Sequence, residues 1–550
     1  MKKVLLFICF TQIFFLFAQE ALKSTEEEYY DFLSLQGIVE RPTLGYRTLS
    51  DSVWEIPENT EHVWQNNNLG STKVLWQSEN QGNNWFTKGF FHGFKYKLFG
   101  PDWFNSFNTA APYGQNDGAL WQGRGYNTSL TAGARIEGYG FELTFKPMVT
   151  FSQNLGFEIM PSSYDSQYGY IWGYTKNIGI DAPQRFGNTA FWNYDWGDSE
   201  IRWKFYNFTA GFGTQSVWIG PSWKNAMLGS NNAPSYPKFD IGLQKTEIII
   251  PGIDWNIGFI DAKIIIGYLS ESDYFDNDEN NNHNMISSFI FSYAPSFIPG
   301  FTIGAAKVCL TKWGNDFWKY INPFYNSNDV YGIGEDQKMS IFLDWNIYSV
   351  GLELYGEIGI DDYLQNGFIH GGIRYPFDTL MWTAGLKKTF SISKTKSIYG
   401  ELITEVTFME LPRNKGKQCY YAFNFHHQIS QGFTQKGQYI GTFLGNGGNS
   451  QIIQLNVYYP KGKISALIGR NNPDNTYSYN TLNNHNETYK ANLIIGLNST
   501  YFISKSFFVD IGIVYNEIIN SQYWIKENDE YKSSARIDNF QFSFDIKYQF

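Results

Sequence analysis

The stretch Asn539–Phe550, NFQFSFDIKYQF, ends the chain, and its reading decides the fold. Phe540, Phe542, Phe544, Ile546, Tyr548 and Phe550 occupy every second position, with Gln541, Ser543, Asp545, Lys547 and Gln549 between them. A period of two sends the apolar groups to one face of a strand and the polar groups to the other. In a protein surrounded by water, such an aromatic face covers a core. In a transmembrane β-barrel it meets lipid, and the polar face lines the lumen.

The opening residues favour the second setting. Met1–Ala18 carries Lys2 and Lys3, an apolar run from Val4 to Phe17 and a small residue before Gln19, the pattern of a cleaved secretory signal peptide. Cys9 sits inside that run and is discarded with it. Losing Lys2 and Lys3 takes the formal charge from −10 to −12. A charge this negative argues against nucleic acid, whose phosphates demand a basic surface. Beyond the signal peptide no run approaches the roughly 20 apolar residues of a membrane helix, which excludes a helical inner-membrane protein. Aromatic residues nevertheless make up 19% of the chain, with 18 Trp, 38 Tyr and 47 Phe, while mean hydropathy is −0.35. That combination suits an exported barrel whose strands place half their residues in water. A secreted soluble β protein is the alternative.

The chain divides into residues 1–18, a signal peptide; 19–87, a small, mainly helical periplasmic region; and 88–550, an antiparallel outer-membrane β-barrel. In the second part, Glu20–Gly37 reads as a helix. Ser24 and Thr25 stand three residues before Glu27 and Glu28, the spacing of a capping box, and Glu26–Glu28 lie where the helix dipole favours anions. Tyr29, Phe32, Leu33 and Leu35 give it one apolar side, and Gly37 with Pro42 ends it. A second, weaker helical stretch covers about Glu58 to Asn66. From Lys88 the period changes to two. In Phe141–Phe151 the apolar set Phe141, Leu143, Phe145, Val149 and Phe151 opposes Glu142, Thr144 and Lys146; in Ser397–Phe408, Ile398, Leu402, Val406 and Phe408 oppose Tyr399, Glu401 and Glu405. Ionisable groups confined to one parity mark a lumen, because charge on the lipid face costs roughly 2–4 kcal/mol at mid-membrane. Turns rich in Asn, Gly and Asp separate the strands. The remaining length suits roughly 16–18 strands, an even number. By the same parity Cys309 falls on a lumen face and Cys419 on a lipid face, so both are expected as free thiols.

Several longer segments do more than alternate. They are Tyr29–Leu33 with Arg47–Asp51; Asn116–Gly125 (NDGALWQGRG); Trp218–Asn225 (WIGPSWKN) continuing to Ser230–Pro234 (SNNAP); Gly432–Gln438 (GFTQKGQ); and Gly445–Ser450 (GNGGNS). Together they resemble the Wzi-type capsule assembly proteins of the outer membrane, over nearly all of the mature chain, and the terminal Phe550 resembles the insertion signal read by barrel assembly machinery. The resemblance implies a monomeric barrel of about 18 strands with a periplasmic helical part. It also implies a lectin-like role at the cell surface, with capsular polysaccharide or exopolysaccharide as partner, lipopolysaccharide as neighbour and no cofactor. A porin-like diffusion channel on the same fold is the alternative, and an adhesive surface protein is a third class.

Candidate ligand contacts come from these motifs: Trp218, Trp223, Asn225, Asn231, Asn232 and Arg124. Indole faces stack on the CH patches of sugars and amides pair with hydroxyls. The same residues also serve structure, since Gly-Pro and Asn-Asn-Ala-Pro fix turns and Trp anchors barrel rims. Arg124 is expected to pair with a lumen carboxylate such as Glu401 or Glu405, or with an acidic sugar. Enzymatic readings find little support. His426 and His427 are adjacent and face opposite sides of a strand, and no Gly-x-Ser-x-Gly elbow is present. Glu353/Glu357 and Glu401/Glu405 share faces as glycosidase carboxylates do, but lumen carboxylates are common without catalysis. The acidic loop Asp273, Asp276, Asp278, Glu279 lacks the Gly and the closing Glu of a calcium loop, and is read as solvated. The reading as a whole predicts that the mature chain leaves the membrane only with detergent and runs faster on a gel unboiled than boiled; a freely soluble species with one mobility would refute it.

Overall fold

A computed structural model of the chain describes residues 17–19 and 24–550, apart from 58–59, 80–83, 160–167, 169–179, 277, 315–316, 323–324, 326–333, 362–372, 375, 377–379, 411–422, 427, 475–488, 523, 528–529 and 534–535. Most of the expected signal peptide, Cys419 and His427 therefore lie outside the described residues.

Eighteen antiparallel strands close into a barrel. They are β1 (Gly93–Asn108), β2 (Gly125–Gly138), β3 (Phe141–Phe145 and Met148–Ser152), β4 (Phe191–Asp195 and Glu200–Phe205), β5 (Phe208–Gly213) and β6 (Lys238–Ile250). Next come β7 (Trp255–Ser270), β8 (His283–Pro295), β9 (Phe301–Lys312), β10 (Glu335–Ile347), β11 (Leu352–Asp361) and β12 (Met381–Ser393). The ring ends with β13 (Ile398–Phe408), β14 (Asn449–Tyr459), β15 (Gly462–Asn472), β16 (Ala491–Phe502), β17 (Phe507–Ile519) and β18 (Ile537–Tyr548). The two parts of β3 meet at Lys146-Pro147, where proline has no N–H for the ladder. Each strand pairs with its neighbour in sequence, and β18 pairs with β1 from Gln541↔Asn108 to Lys547↔Asp102. Closure leaves no barrel edge unpaired in lipid, which an open sheet could not achieve.

The expected alternation is present. Phe540, Phe542, Phe544 and Tyr548 of β18 are exposed on the outer wall, whereas Asn539, Gln541 and Asp545 are buried inside. In β3, Phe141 is 62% exposed and Glu142 2%. Cys309 departs from the lumen face expected for it: with Lys307 and Thr311 it shares the parity of the exposed Ile303, while Gly304, Val308 and Leu310 point inward, and it is buried because Tyr320 packs over it. Phe342 is an aromatic exception on an inward position, and it fits because Gly304 and Gly45 leave room for its ring.

The connections divide by length. Those following β2, β4, β6, β8, β10, β12, β14 and β16 are two to five residues long, while those at the other end run from 12 to 40 residues. This is the polarity of an outer-membrane barrel, with short turns on the periplasmic side and long loops outside.

The amino-terminal region does not stand ahead of the barrel; it lies within the bore. Its helix, α1 (Thr25–Leu35), begins at Ser24, whose hydroxyl accepts the Glu27 N–H at 3.1 Å as the capping spacing predicts. Tyr29, Phe32 and Leu33 are completely buried and pack with Trp64, Tyr458, Phe502 and Phe508. Lumen-facing charges hold the helix: Lys463 meets Glu28 at 2.8 Å and Lys387 meets Asp31 at 2.5 Å. Arg41 reaches Asp31 (2.7 Å), Asp344 (2.7 Å) and Glu353 (2.6 Å). Further round the ring, Arg202 lies between Glu200 and Asp240, each at 2.6 Å, and Lys263 joins Asp240 to Asp51.

The helix expected over Glu58–Asn66 is not formed. Val63–Asn67 is a turn, because Trp64 is committed elsewhere: its backbone N–H donates to the Tyr29 hydroxyl, and its indole N–H donates to the carbonyls of Tyr459 and Gly462. Tertiary contacts here override a weak local preference.

Because Arg41 neutralises three carboxylates, Arg41→Ala strands buried charge and should cost about 3–5 kcal/mol of plug docking. The expected result is rapid proteolysis within residues 24–57 while the barrel keeps its heat-modifiable mobility. Unchanged protease resistance would show that the ion pairs do not hold the plug.

Candidate functional site

Three long connections fold back into the outer half of the bore, and the lumen face of the wall holds them there. The first, between β1 and β2, contains Asn116–Gly125. Asn108 donates to the carbonyls of Gln122 and Gly123, Asn127 to Gly123, and Ser152 to the carbonyl of Trp121. Gln541, from the stretch that announced the barrel, donates to the carbonyl of Tyr113 and to the Gln122 side chain. Polar residues placed inward by strand parity thus satisfy a loop backbone that would otherwise be buried without partners.

The second connection, between β5 and β6, is organised on two carboxylates. Glu405 accepts the backbone N–H groups of Trp223 (2.5 Å), Lys224 (3.2 Å) and Asn225 (3.0 Å), the Asn225 amide (3.1 Å) and the Tyr355 hydroxyl (3.0 Å). Glu357 accepts the Ser222 hydroxyl at 3.2 Å, and Gly220 (φ +84°) passes so close that a Cβ would lie 3.0 Å from that carboxylate. Trp218–Ile219 pairs with Tyr46–Arg47 of the amino-terminal segment. Plug and loop therefore meet in mid-bore.

The third connection, between β13 and β14, lies over the second. Ser230 and Asn232 donate to the carbonyls of Gly441 and Tyr439, and Thr442 donates to the Asn225 side chain. Asn116 N–H donates to the Asn232 side chain, Gly118 N–H to the Asn231 carbonyl and the Gln438 amide to the Gly118 carbonyl. Segments more than 300 residues apart in the chain are joined into one floor.

This arrangement sorts the sequence-derived candidates. Trp218, Trp223 and Asn225 are buried in the bore as parts of the loop that Glu405 and Glu357 hold. Asn231 and Asn232 fasten loops to one another. Arg124 does not reach Glu401 or Glu405. Its guanidinium donates to the carbonyls of Thr109 (3.2 Å) and Gly156 (2.6 Å), because the first connection carries it outward, while Glu401 is taken by Asn456 and Tyr458. Glu353 and Glu357 are likewise engaged, by Arg41 and Ser222. In the acidic loop, Asp276 and Asp278 accept backbone N–H groups of their own turn. Among the described residues, no group of three or more His, Cys, Asp or Glu is placed to hold a metal ion.

Above this floor, at the long-loop end, lie two adjoining cavities of about 340 and 240 Å³. They share Trp121, Asn232, Gln438, Phe443 and Lys490 as lining residues; Phe157 and Tyr439 extend one, Asn492 and Asn516 the other. Trp121 is half-buried against Phe186, with ring centroids 4.9 Å apart. Gly123 gives it space, since a Cβ there would lie 2.7 Å from the indole nitrogen. Of the six nominated residues only Asn232 lines this cleft. Trp121 and Gln438 belong to quoted motifs yet were not singled out, and Phe443, Lys490 and Asn492 carried no local signal. A roomier cavity of about 570 Å³ opens at the short-turn end, but its cations, Arg41 and Lys245, are already paired with Asp344 and Glu40.

Fold and polarity define a multi-pass β-barrel of the bacterial outer membrane. The chain is similar to Wzi of Escherichia coli, an outer-membrane protein involved in group 1 capsule assembly and described as a carbohydrate-binding β-barrel, with 13% identity, TM-score 0.53, and 82% of this chain and 85% of that one covered. It also matches OccAB4 of Acinetobacter baumannii (9%, TM-score 0.38, 83% and 97% covered) and OpdK of Pseudomonas aeruginosa, solved with vanillate (9%, TM-score 0.36, 84% and 99%). At these identities the likeness is one of fold. No protein-family model and no curated protein matches the chain.

Asp117 lies beneath the cleft and lines its inner cavity. Burial pushes its carboxyl up to about 7, against the smaller opposing effects of Gln122, the Gln115 backbone and Lys224. From about pH 4 to about pH 7 the folded chain keeps a proton that the unfolded chain has lost, so stability falls as pH rises through that window and levels off above it. Asp117→Asn should therefore shrink the drop in urea midpoint between pH 5 and pH 8, measured on the detergent-solubilised protein. An unchanged drop would exclude this carboxyl as its source.

Proposed function

We propose that this protein is a polysaccharide-binding barrel that retains capsular or exopolysaccharide at the cell surface. One observation carries the reading. The bore, which a diffusion channel needs open, is occupied by α1, by residues 38–57 and by the inward-folded long connections, while a cleft of aromatic and amide groups remains at the long-loop end. Rings such as Trp121 and Phe443 offer apolar faces for sugar CH patches, and lining amides such as Asn492 and Asn516 offer partners for hydroxyls. The Wzi likeness, a barrel described as binding carbohydrate, agrees with this reading. Each contact is weak. Retention comes from many copies of the protein engaging one long polymer, so that occupancy of neighbouring copies raises the effective concentration for the next.

Lipopolysaccharide surrounds the outer rim in this account, the barrel works as a monomer, and the bound polymer leaves unchanged. Deleting the gene should move polysaccharide from the cells to the medium with total synthesis unaltered. If cell-associated polysaccharide stays constant, or if the purified protein opens porin-sized conductance in a planar bilayer, the proposal is wrong.

A further inference from the structure

The geometry points to a neutral, hydroxyl-rich polysaccharide as the ligand of the long-loop cleft, in preference to a polyuronate or phosphorylated polymer. This rests on the polysaccharide-binding reading above and narrows it by charge. Among the described residues lining the two cavities, Glu158, Asp474 and Asp117 carry carboxyls, and Lys490 is the single cation; there is no Arg or His. Lys490 itself is compromised, because burial lowers its affinity for a proton and Asp474 is the charge beside it. A polymer with a carboxylate on each repeat would bring like charge against this lining. Sites that select carboxylate or phosphate usually present the bidentate fork of arginine. Among the described arginines near the cleft, Arg124 is spent on two backbone carbonyls, Arg185 on Asn154 and Asn188, and Arg536 on Glu517 and Asp538.

The unsatisfied groups suit hydroxyls. The Trp121 indole N–H has no acceptor, and the side-chain oxygens of Asn492 and Asn516 have no donor. A sugar hydroxyl donates and accepts at once and can serve both kinds, whereas a carboxylate only accepts and would leave the two oxygens unpaired. The cleft therefore offers one donor, two acceptors and an aromatic wall to a ligand without net charge.

The test uses the full-length protein in detergent, immobilised and exposed to dextran and mannan as neutral polymers and to alginate and polygalacturonate as anionic ones, at low and high salt. Dextran or mannan should be retained with little effect of salt, and Trp121→Ala should weaken that retention by about three- to tenfold, the loss of one aromatic contact. Glu158→Lys, which replaces a carboxyl of the lining by a cation, should admit alginate in a salt-sensitive manner. If wild-type protein retains the anionic polymers more strongly, the charge inference falls and the polysaccharide reading stands. If none of the four is retained, both fall. Neutral binding that ignores both Trp121→Ala and Gln438→Ala would place the ligand elsewhere and overturn the assignment of this cleft.

Discussion

Closing a sheet into a ring solves one problem and creates another. Every barrel strand finds a neighbour, so no backbone edge faces hydrocarbon. Strand parity then sends every second residue into the bore, and in this chain that inner set is dense in Glu, Asp, Lys, Arg, Asn and Ser. Those groups need water or partners, since an unpaired buried charge costs several kcal/mol. The protein supplies partners from its own chain. Glu405 is the clearest case, with three backbone N–H groups, an amide and a phenol around one carboxylate.

Filling the bore also decides where a ligand can go. Lys387 and Lys463 hold the amino-terminal helix at the short-turn end, Asp344 and Glu353 hold Arg41 beside it, and Glu357 and Glu405 hold the β5–β6 connection in the middle. What remains for a large partner is the outer end, where three connections lock together through Asn116, Asn231, Asn232 and Gln438. Residues named from the motifs as candidate contacts serve instead as scaffold inside the bore. Trp218 shows the change of role: its indole is completely buried, with its N–H given to the carbonyl of Ser222.

Much of this was legible before any coordinate. Aromatic alternation in Asn539–Phe550 and Phe141–Phe151, confinement of charge to one parity, Asn-rich breaks between strands and the length that remained led to a barrel of roughly 16–18 strands. They succeeded because lipid imposes a simple rule on each strand separately. The Ser24 cap was legible for a similar reason: capping is settled within four residues. The helix expected over Glu58–Asn66 failed where three distant contacts claimed Trp64. The Arg124 pairing failed because loop path, not residue type, determines what a guanidinium can reach.

The sequence alone determined a membrane-spanning barrel and the inward charges. Each of those follows from periodicity or from chemistry within a few neighbouring residues. Only the tertiary structure decided that the amino-terminal helix enters the bore, that the motif tryptophans Trp218 and Trp223 are interior supports, and that Trp121, Asn232, Gln438, Phe443 and Lys490 share one cleft. Those residues belong to four separate connections, and their meeting depends on ring closure, the one operation that local patterning cannot encode.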